Sequence, residues 1–504
     1  MSVKQFSIEE VARHTKEGDI WIIVDAKVYD LSKFSEMHPG GLSVLLDEEI
    51  AGKDATDAFF SLHRHEVLDR PQYKRLQIGT VVGQEPQIFS RNAGELSKVP
   101  YAEPTYLTSG YHSPYYNEFA FRKFVEEVLV PDGQIHEDDG KKPEQKIFLE
   151  MAKYNVIAMR LGPGPHLKGR KLLGGVKPEE FDSFHDLIMA QELARVHSRA
   201  YIDGSGGGTY IGLPPIVNFA KPALRDRVLE DVFSGQKTIC LAITEAFAGS
   251  DVGGLRCSSK RVSGGFIVTG TYKWITNGTF ADYFTTGCRS EKGGLNALLI
   301  ERGPGVETKP IKTSYSATAG TAYVTFNNVF VPEENLLGEE NDGLHVILSN
   351  FNHERRVPSH ISTTHYLIRW GMCCANIASQ RLVVEECLKW VSQRKVFGKP
   401  LSSQAVIRSK LAAMISRVES AQSWLENVTY QMSHMKYKDQ AVYLAGPIAL
   451  LKKYTTEAAQ DTARDAVQFH RTAPFDAVLG GAEDVLGDLG VRQALRKMPR
   501  DVRL

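Results

Sequence analysis

His38-Pro39-Gly40-Gly41, then Ala51-Gly52-Lys53-Asp54-Ala55-Thr56, then His63 in Leu62-His63-Arg64, is the stretch that decides how the first part of this 504-residue chain reads. Pro39 fixes its own φ, and the two glycines carry no Cβ, so the backbone can turn tightly beside His38 and admit a flat group against the main chain. Apolar residues suited to lining a crevice surround the pair of histidines, among them Val24, Tyr29, Leu31, Phe34, Leu45 and Phe59. A His-Pro turn alone would be an ordinary feature of a small domain. Two histidines with a fixed polar segment between them ask for a shared ligand.

Taken together, these residues resemble the cytochrome b5 family over residues 1–82. The resemblance implies a haem b held between His38 and His63, with His65 as the alternative second ligand. A haem with both axial positions filled binds neither oxygen nor substrate and is suited to passing single electrons. The path from His38 to Ala51 is slightly longer than the common form, which implies a larger surface helix with both ligands kept.

The remaining chain must contain the partner in that exchange. Its length exceeds one hydrophobic core, so two or more domains are expected. Sixty basic residues balance sixty acidic ones, which argues against nucleic acid or a polybasic membrane surface as partner. The longest apolar run, Ala441 to Leu451, is too short and interrupted to span a bilayer. Six cysteines (Cys240, Cys257, Cys288, Cys373, Cys374 and Cys387) form no C-x-x-C pattern, which favours a reducing compartment. Glu9, Glu10, Glu17 and Asp19 argue against a secretory or mitochondrial leader.

Residues 83–115 lack periodicity and are rich in Pro, Gly, Ser and Tyr, so they read as a mobile linker. Helical periodicity begins from Asn117, with Phe119, Phe121, Phe124, Val125, Val128 and Leu129, and defines a helical domain over 116–237. Short β-branched and aromatic runs separated by glycines, such as Phe266-Ile267-Val268-Thr269-Gly270, define a β-barrel or small sandwich over 238–340. Long helices fill 341–504. The fold class is multidomain α+β.

Thr244-Glu245-Ala246-Phe247-Ala248-Gly249-Ser250-Asp251 offers backbone N–H groups and hydroxyls to a planar or phosphate-bearing ligand. Lys273-Trp274-Ile275-Thr276-Asn277-Gly278 adds an aromatic plane, although alone it also fits a core Trp beside a turn. In this order, between two helical blocks, the two segments resemble the acyl-CoA dehydrogenase family from about residue 116 to 504, so that the whole is similar to a fungal-type fusion of cytochrome b5 to such an enzyme. The resemblance implies FAD, with Thr244, Ser250, Trp274 and Thr276 against its ring. It implies a C-terminal four-helix-type domain. Arg394-Lys395-Val396-Phe397-Gly398-Lys399-Pro400-Leu401, followed by Gln404, resembles the segment that reaches FAD across a subunit interface, with Arg394 on the pyrophosphate. A homodimer or homotetramer follows. Gly204-Ser205-Gly206-Gly207-Gly208 comes after a helical segment instead of a strand and reads as a connector, not a phosphate loop.

Such an enzyme needs a carboxylate to take the proton α to the thioester carbonyl of an acyl-CoA substrate. The C-terminal stretch where many relatives carry it, here Val478 to Glu483, has Gly480 at the base position. Other relatives carry it on a helix just before an arginine; Phe351-Asn352-His353-Glu354-Arg355-Arg356 matches, so Glu354 is the expected base. Between Val467 and Gln468 the chain lacks a Gly-rich segment that relatives use toward the adenosine half of FAD. The expected activity is oxidation of an acyl-CoA to the trans-2-enoyl-CoA with electrons passed to the fused haem. The alternatives are the reverse flow, with haem driving reduction or oxygenation, and an electron carrier with an impaired flavoprotein body. Val502-Arg503-Leu504 resembles a peroxisomal Ser-Lys-Leu-type signal, leaving cytoplasm and peroxisome open.

Overall fold

The computed structural model describes residues 4–63, 66–87, 91–104, 107, 121–348 and 367–470. Glu354, His65, the 478–483 stretch and Val502-Arg503-Leu504 lie outside these.

The N-terminal domain is built on a five-stranded sheet of β1 (Gln5–Phe6), β2 (Thr15–Lys16), β3 (Asp19–Val24), β4 (Lys27–Asp30) and β5 (Gln77–Val81), in the order β1-β5-β4-β3-β2. Side chains alternate faces along a strand, and both faces of β3 are apolar. Ile20, Ile22 and Val24 enter one small core with Leu31, Leu45 and Phe60, while Ile23 enters a second with Phe6, Val11, Val28 and Val81. The first of these cores floors the histidine crevice.

In the middle of the chain, β6 (Ile239–Ala242), β7 (Ser258–Val262), β8 (Gly265–Ile275), β9 (Tyr283–Ser290), β10 (Leu295–Glu301), β11 (Val306–Pro310), β12 (Ala322–Pro332) and β13 (Leu336–Leu337) form one sheet. The order is β11-β12-β8-β7-β9-β10-β13, with β6 paired to β9. No pairing among the described residues joins β11 to β13, so the expected barrel is a continuous ladder that is not closed by hydrogen bonds. The long β8–β12 pair slips register between Ala322 and Val324 and again between Phe326 and Val329.

Three long helices, Leu367–Gln393, Ala405–His434 and Ala445–His470, pack together, and the Ser183–Leu193 helix of the preceding helical block joins them. Trp370 is fully buried among them, its indole N–H donating to Thr429 Oγ1 at 2.9 Å. Cys373, Cys374 and Cys387 form no disulfide and are buried in this core, where thiols act as small hydrophobes.

The reading of 83–115 as a mobile linker needs correction over Arg91–Pro104. Glu103 is buried and takes a bidentate hold from Arg122 at 2.7 and 2.8 Å, while Arg195 reaches it at 2.9 Å. Glu192 closes the network, meeting Arg122 at 2.6 Å and Arg195 at 2.7 Å. Arg381 Nη1 donates to the carbonyls of Tyr101 and Glu103, both at 3.1 Å. Proline and serine content signalled an absence of regular structure, but this irregular segment is tied down by three arginines, Arg122, Arg195 and Arg381.

Burial opposes ionisation of Glu103, yet the Arg122 hydrogen bonds and the charges of Arg195 and Arg122 hold it below the usual carboxylate range. The stability it contributes is present above the ordinary carboxylate value and is lost as pH falls through the lower folded one. Arg122→Met leaves two buried carboxylates sharing one arginine, and it is expected to cost about 3–5 kcal/mol. Urea unfolding of the two proteins checks this, and a difference within error contradicts a stabilising role for the network.

Candidate functional site

Three features make up the site: the histidine crevice, a loop-and-strand cradle on the middle sheet, and a cavity between helices.

In the crevice, His38 follows the Ser35–Met37 turn, and His63 caps the Thr56–Leu62 helix. Their ring centroids are 5.9 Å apart across an apolar cleft lined by Val24, Phe34, Leu45 and Phe59. That spacing suits two imidazoles reaching one metal with bonds of about 2 Å each. His63 Nδ1 bonds the Phe59 carbonyl at 3.2 Å, so Nε2 is the nitrogen left for a ligand. Burial, followed by the neighbouring charge of His38, lowers the His63 pKa against the bond to Phe59 and favours the neutral, ligating form. A Cβ on Gly40 would lie 2.8 Å from His38 Cε1, which explains the glycine next to that ring. His38 Nδ1 is buried without a partner among the described residues. The crevice fits a haem between the two rings.

On the sheet, Thr244 and Ser250 flank the loop after β6. The buried Glu245 carboxylate shapes it by accepting the Arg256 and Cys257 amides at 2.7–3.0 Å, and Lys273 N–H donates to the Thr244 carbonyl at 2.7 Å. Trp274 is not a core residue: it is 50% exposed with φ +66°, turned out of the sheet at the end of β8. Thr276 lies beyond it, half-buried. An outward aromatic face beside two hydroxyl-bearing positions is a surface that a planar ring could cover.

Thr276 also lines a cavity of about 450 Å³ between the Ser183–Leu193 and Leu367–Gln393 helices. Asp186, Met189, Ala190 and Leu193 follow helical i, i+3, i+4, i+7 spacing on one wall, with Gly371, Met372, Ala375 and Leu382 opposite. Sequence reading missed this cavity. Its only sequence signal is an aspartate on an otherwise apolar helical stripe. The Gly204–Gly208 run borders it as the expected connector, between the Arg199–Gly204 and Gly207–Gly212 helices. A Cβ on Gly208 would meet Asn277 Oδ1 and the Ile239 carbonyl at 2.4 Å, so that glycine serves close helix–sheet packing.

Arg394, Phe397 and Gln404 surround the small hairpin Lys395–Val396 / Lys399–Pro400. Phe397 is 96% exposed at φ +52°. Arg394 Nη1 donates at 3.1 Å to the Ser61 carbonyl, and Lys395 pairs with Asp57 at 2.8 Å. Within one chain, therefore, this segment holds the histidine domain. A second cleft between the two domains is lined by His63, Leu62, Trp390, Glu386 and Ala466, and it shares His197, Leu382 and Val383 with the helical cavity. Ala466 and Val467 form part of that cleft.

Family models for the acyl-CoA dehydrogenase middle and C-terminal domains match residues 240–329 and 341–475, and one for the cytochrome b5-like heme/steroid binding domain matches 7–85. An acyl-CoA dehydrogenase of Emericella nidulans is 33% identical over 438 residues, covering 80% of this chain and 96% of the relative. The chain belongs to the acyl-CoA dehydrogenase family. An acyl-CoA dehydrogenase of Alternaria alternata is 31% identical over 436 residues, covering 80% of this chain and 98% of its own. Among solved structures, an acyl-CoA dehydrogenase from Geobacillus kaustophilus aligns with TM-score 0.58 at 22% identity over 74% of this chain and 96% of its own, a likeness of fold. This acyl-CoA dehydrogenase is thus an oxidoreductase that uses FAD and carries a haem-binding cytochrome b5-like domain at its N-terminal side. No helix among the described residues is long and apolar enough to cross a membrane.

Proposed function

We propose that this acyl-CoA dehydrogenase oxidises an acyl-CoA to its trans-2-enoyl-CoA and delivers the electrons to the haem held by His38 and His63. The observation that carries the reading is the continuity of the cavities. The space beside Thr276 and the cleft beside His63 share His197, Leu382 and Val383 as lining residues, which supports a short path between the proposed donor and acceptor.

When bound, FAD supplies the acceptor for the hydride leaving the β carbon. Thr244, Ser250, Trp274 and Thr276 seat its ring. Glu354 takes the proton from the α carbon as the β hydride departs, leaving the C=C bond and conserving charge. The apolar helical walls exclude water, which raises the basicity of a carboxylate toward a weak carbon acid. Arg394 and Lys395 hold the haem domain against the dehydrogenase body, a role that competes with the contact to FAD pyrophosphate expected of Arg394; Phe397 and Gln404 stay available to a second subunit. The protein is a homodimer or homotetramer in this reading, and either cytoplasm or peroxisome suits it.

A panel of acyl-CoAs added anaerobically to the purified holoenzyme tests this. At least one should bleach the flavin absorbance and yield the matching 2-enoyl-CoA by mass spectrometry. Absence of flavin from the protein, or no bleaching by any of them, would overturn it.

A further inference from the structure

The helical cavity contains a polar group that desaturation does not use. Asp186 is 3% exposed, and its Oδ2 has no hydrogen-bond partner among the described residues. It shares a helical stripe with Met189, Ala190 and Leu193, which are apolar. Nor does it have a cation partner among the described residues. Arg160 on the same cavity wall donates to the Ser205 and Ile202 carbonyls at 3.2 and 3.3 Å, and Arg199 pairs with Asp203 at 2.8 Å. Burial raises the Asp186 carboxyl well above its ordinary pKa, which favours the neutral acid, with one O–H to give and one C=O to receive. A buried polar group left unsatisfied costs stability, and a plain methylene chain against it would seal that cost in.

We propose that Asp186 is a specificity residue that hydrogen-bonds an oxygen substituent, a hydroxyl or keto group, on the acyl chain, so that the enzyme acts on oxygenated acyl thioesters in preference to unsubstituted ones. This rests on the cavity being the acyl site, as in the reading above. A neutral carboxyl suits both oxygen groups, since it donates to a ketone and exchanges both bonds with a hydroxyl. An anionic carboxylate on the substrate is a poorer match, because it would find no cation at Asp186.

The test uses S-alkyl-CoA thioethers, which lack the carbonyl and cannot react, titrated calorimetrically into the full-length holoenzyme. Chains of equal length are compared, one plain and the others hydroxylated at successive carbons. At least one hydroxylated chain should bind about tenfold more tightly than the plain one. In Asp186→Leu that preference should vanish or invert, and in Asp186→Asn it should persist in part. Asp186→Leu should also unfold at the same or a higher temperature, because it removes an unsatisfied buried group at a functional site. Tighter binding of the plain chain by the wild type, or an unchanged preference in Asp186→Leu, overturns the proposal. If plain and hydroxylated chains bind equally while a plain acyl-CoA still bleaches the flavin, the dehydrogenase reading stands and this one falls. Binding of neither class sinks both.

Discussion

Glu354→Gln is expected to slow anaerobic flavin reduction by acyl-CoA by about a hundred- to ten-thousand-fold, the usual contribution of a positioned general base. Glutamine keeps the size and hydrogen-bonding capacity of the side chain but cannot accept the α proton, so substrate affinity should change far less than the rate. The expectation rests on the family resemblance, which puts Gly480 at the alternative position and Glu354, just before Arg355, at the base position of the matching segment. Rapid-mixing measurement of flavin bleaching at saturating acyl-CoA checks it. An unchanged rate removes Glu354 as the base and directs the search to the carboxylates that line the cavity, Asp186 and Asp203.

His63→Ala should abolish stoichiometric haem binding. The ring is stacked on Phe59 with centroids 4.7 Å apart and is fixed through Nδ1, which aims Nε2 as the second ligand. The purified variant should lose its Soret band while keeping flavin, because His63 is absent from the cavity bordered by Thr276. Haem content by the pyridine haemochrome assay gives the number. A full complement of haem in His63→Ala would point to His65 as the ligand.

The parts of this fold that were legible in sequence are those whose chemistry is local. The turn at Gly40 and Gly41, the alternation along β3 and the glycine-punctuated runs of the middle sheet each carry their reason within a few residues. Trp274 was ambiguous for the same reason: a Trp before a turn reads as core until its positive φ and exposure turn it outward. Long-range pairing was not legible. Nothing near Glu103 announces Arg122 and Arg195, so a pinned segment read as a mobile linker. Arg394 bears on Ser61 across more than three hundred residues, a contact set by domain docking and invisible to any local pattern. Asp186 passed unnoticed because one acidic residue on a helix is ordinarily solvated. Only the cavity around it makes it unusual.

Docking also changes how the haem should be pictured. The tied-down Arg91–Pro104 segment and the Arg394 and Lys395 contacts place the haem crevice beside the dehydrogenase body, with no excursion on a tether required. The most direct test is anaerobic stopped-flow absorbance of the full-length holoenzyme mixed with a competent acyl-CoA. Flavin bleaching should come first, followed by reduction of the haem at a rate independent of protein concentration, as expected for transfer within one molecule. Haem that stays oxidised after the flavin is fully reduced, or whose reduction rate scales with protein concentration, would contradict the account.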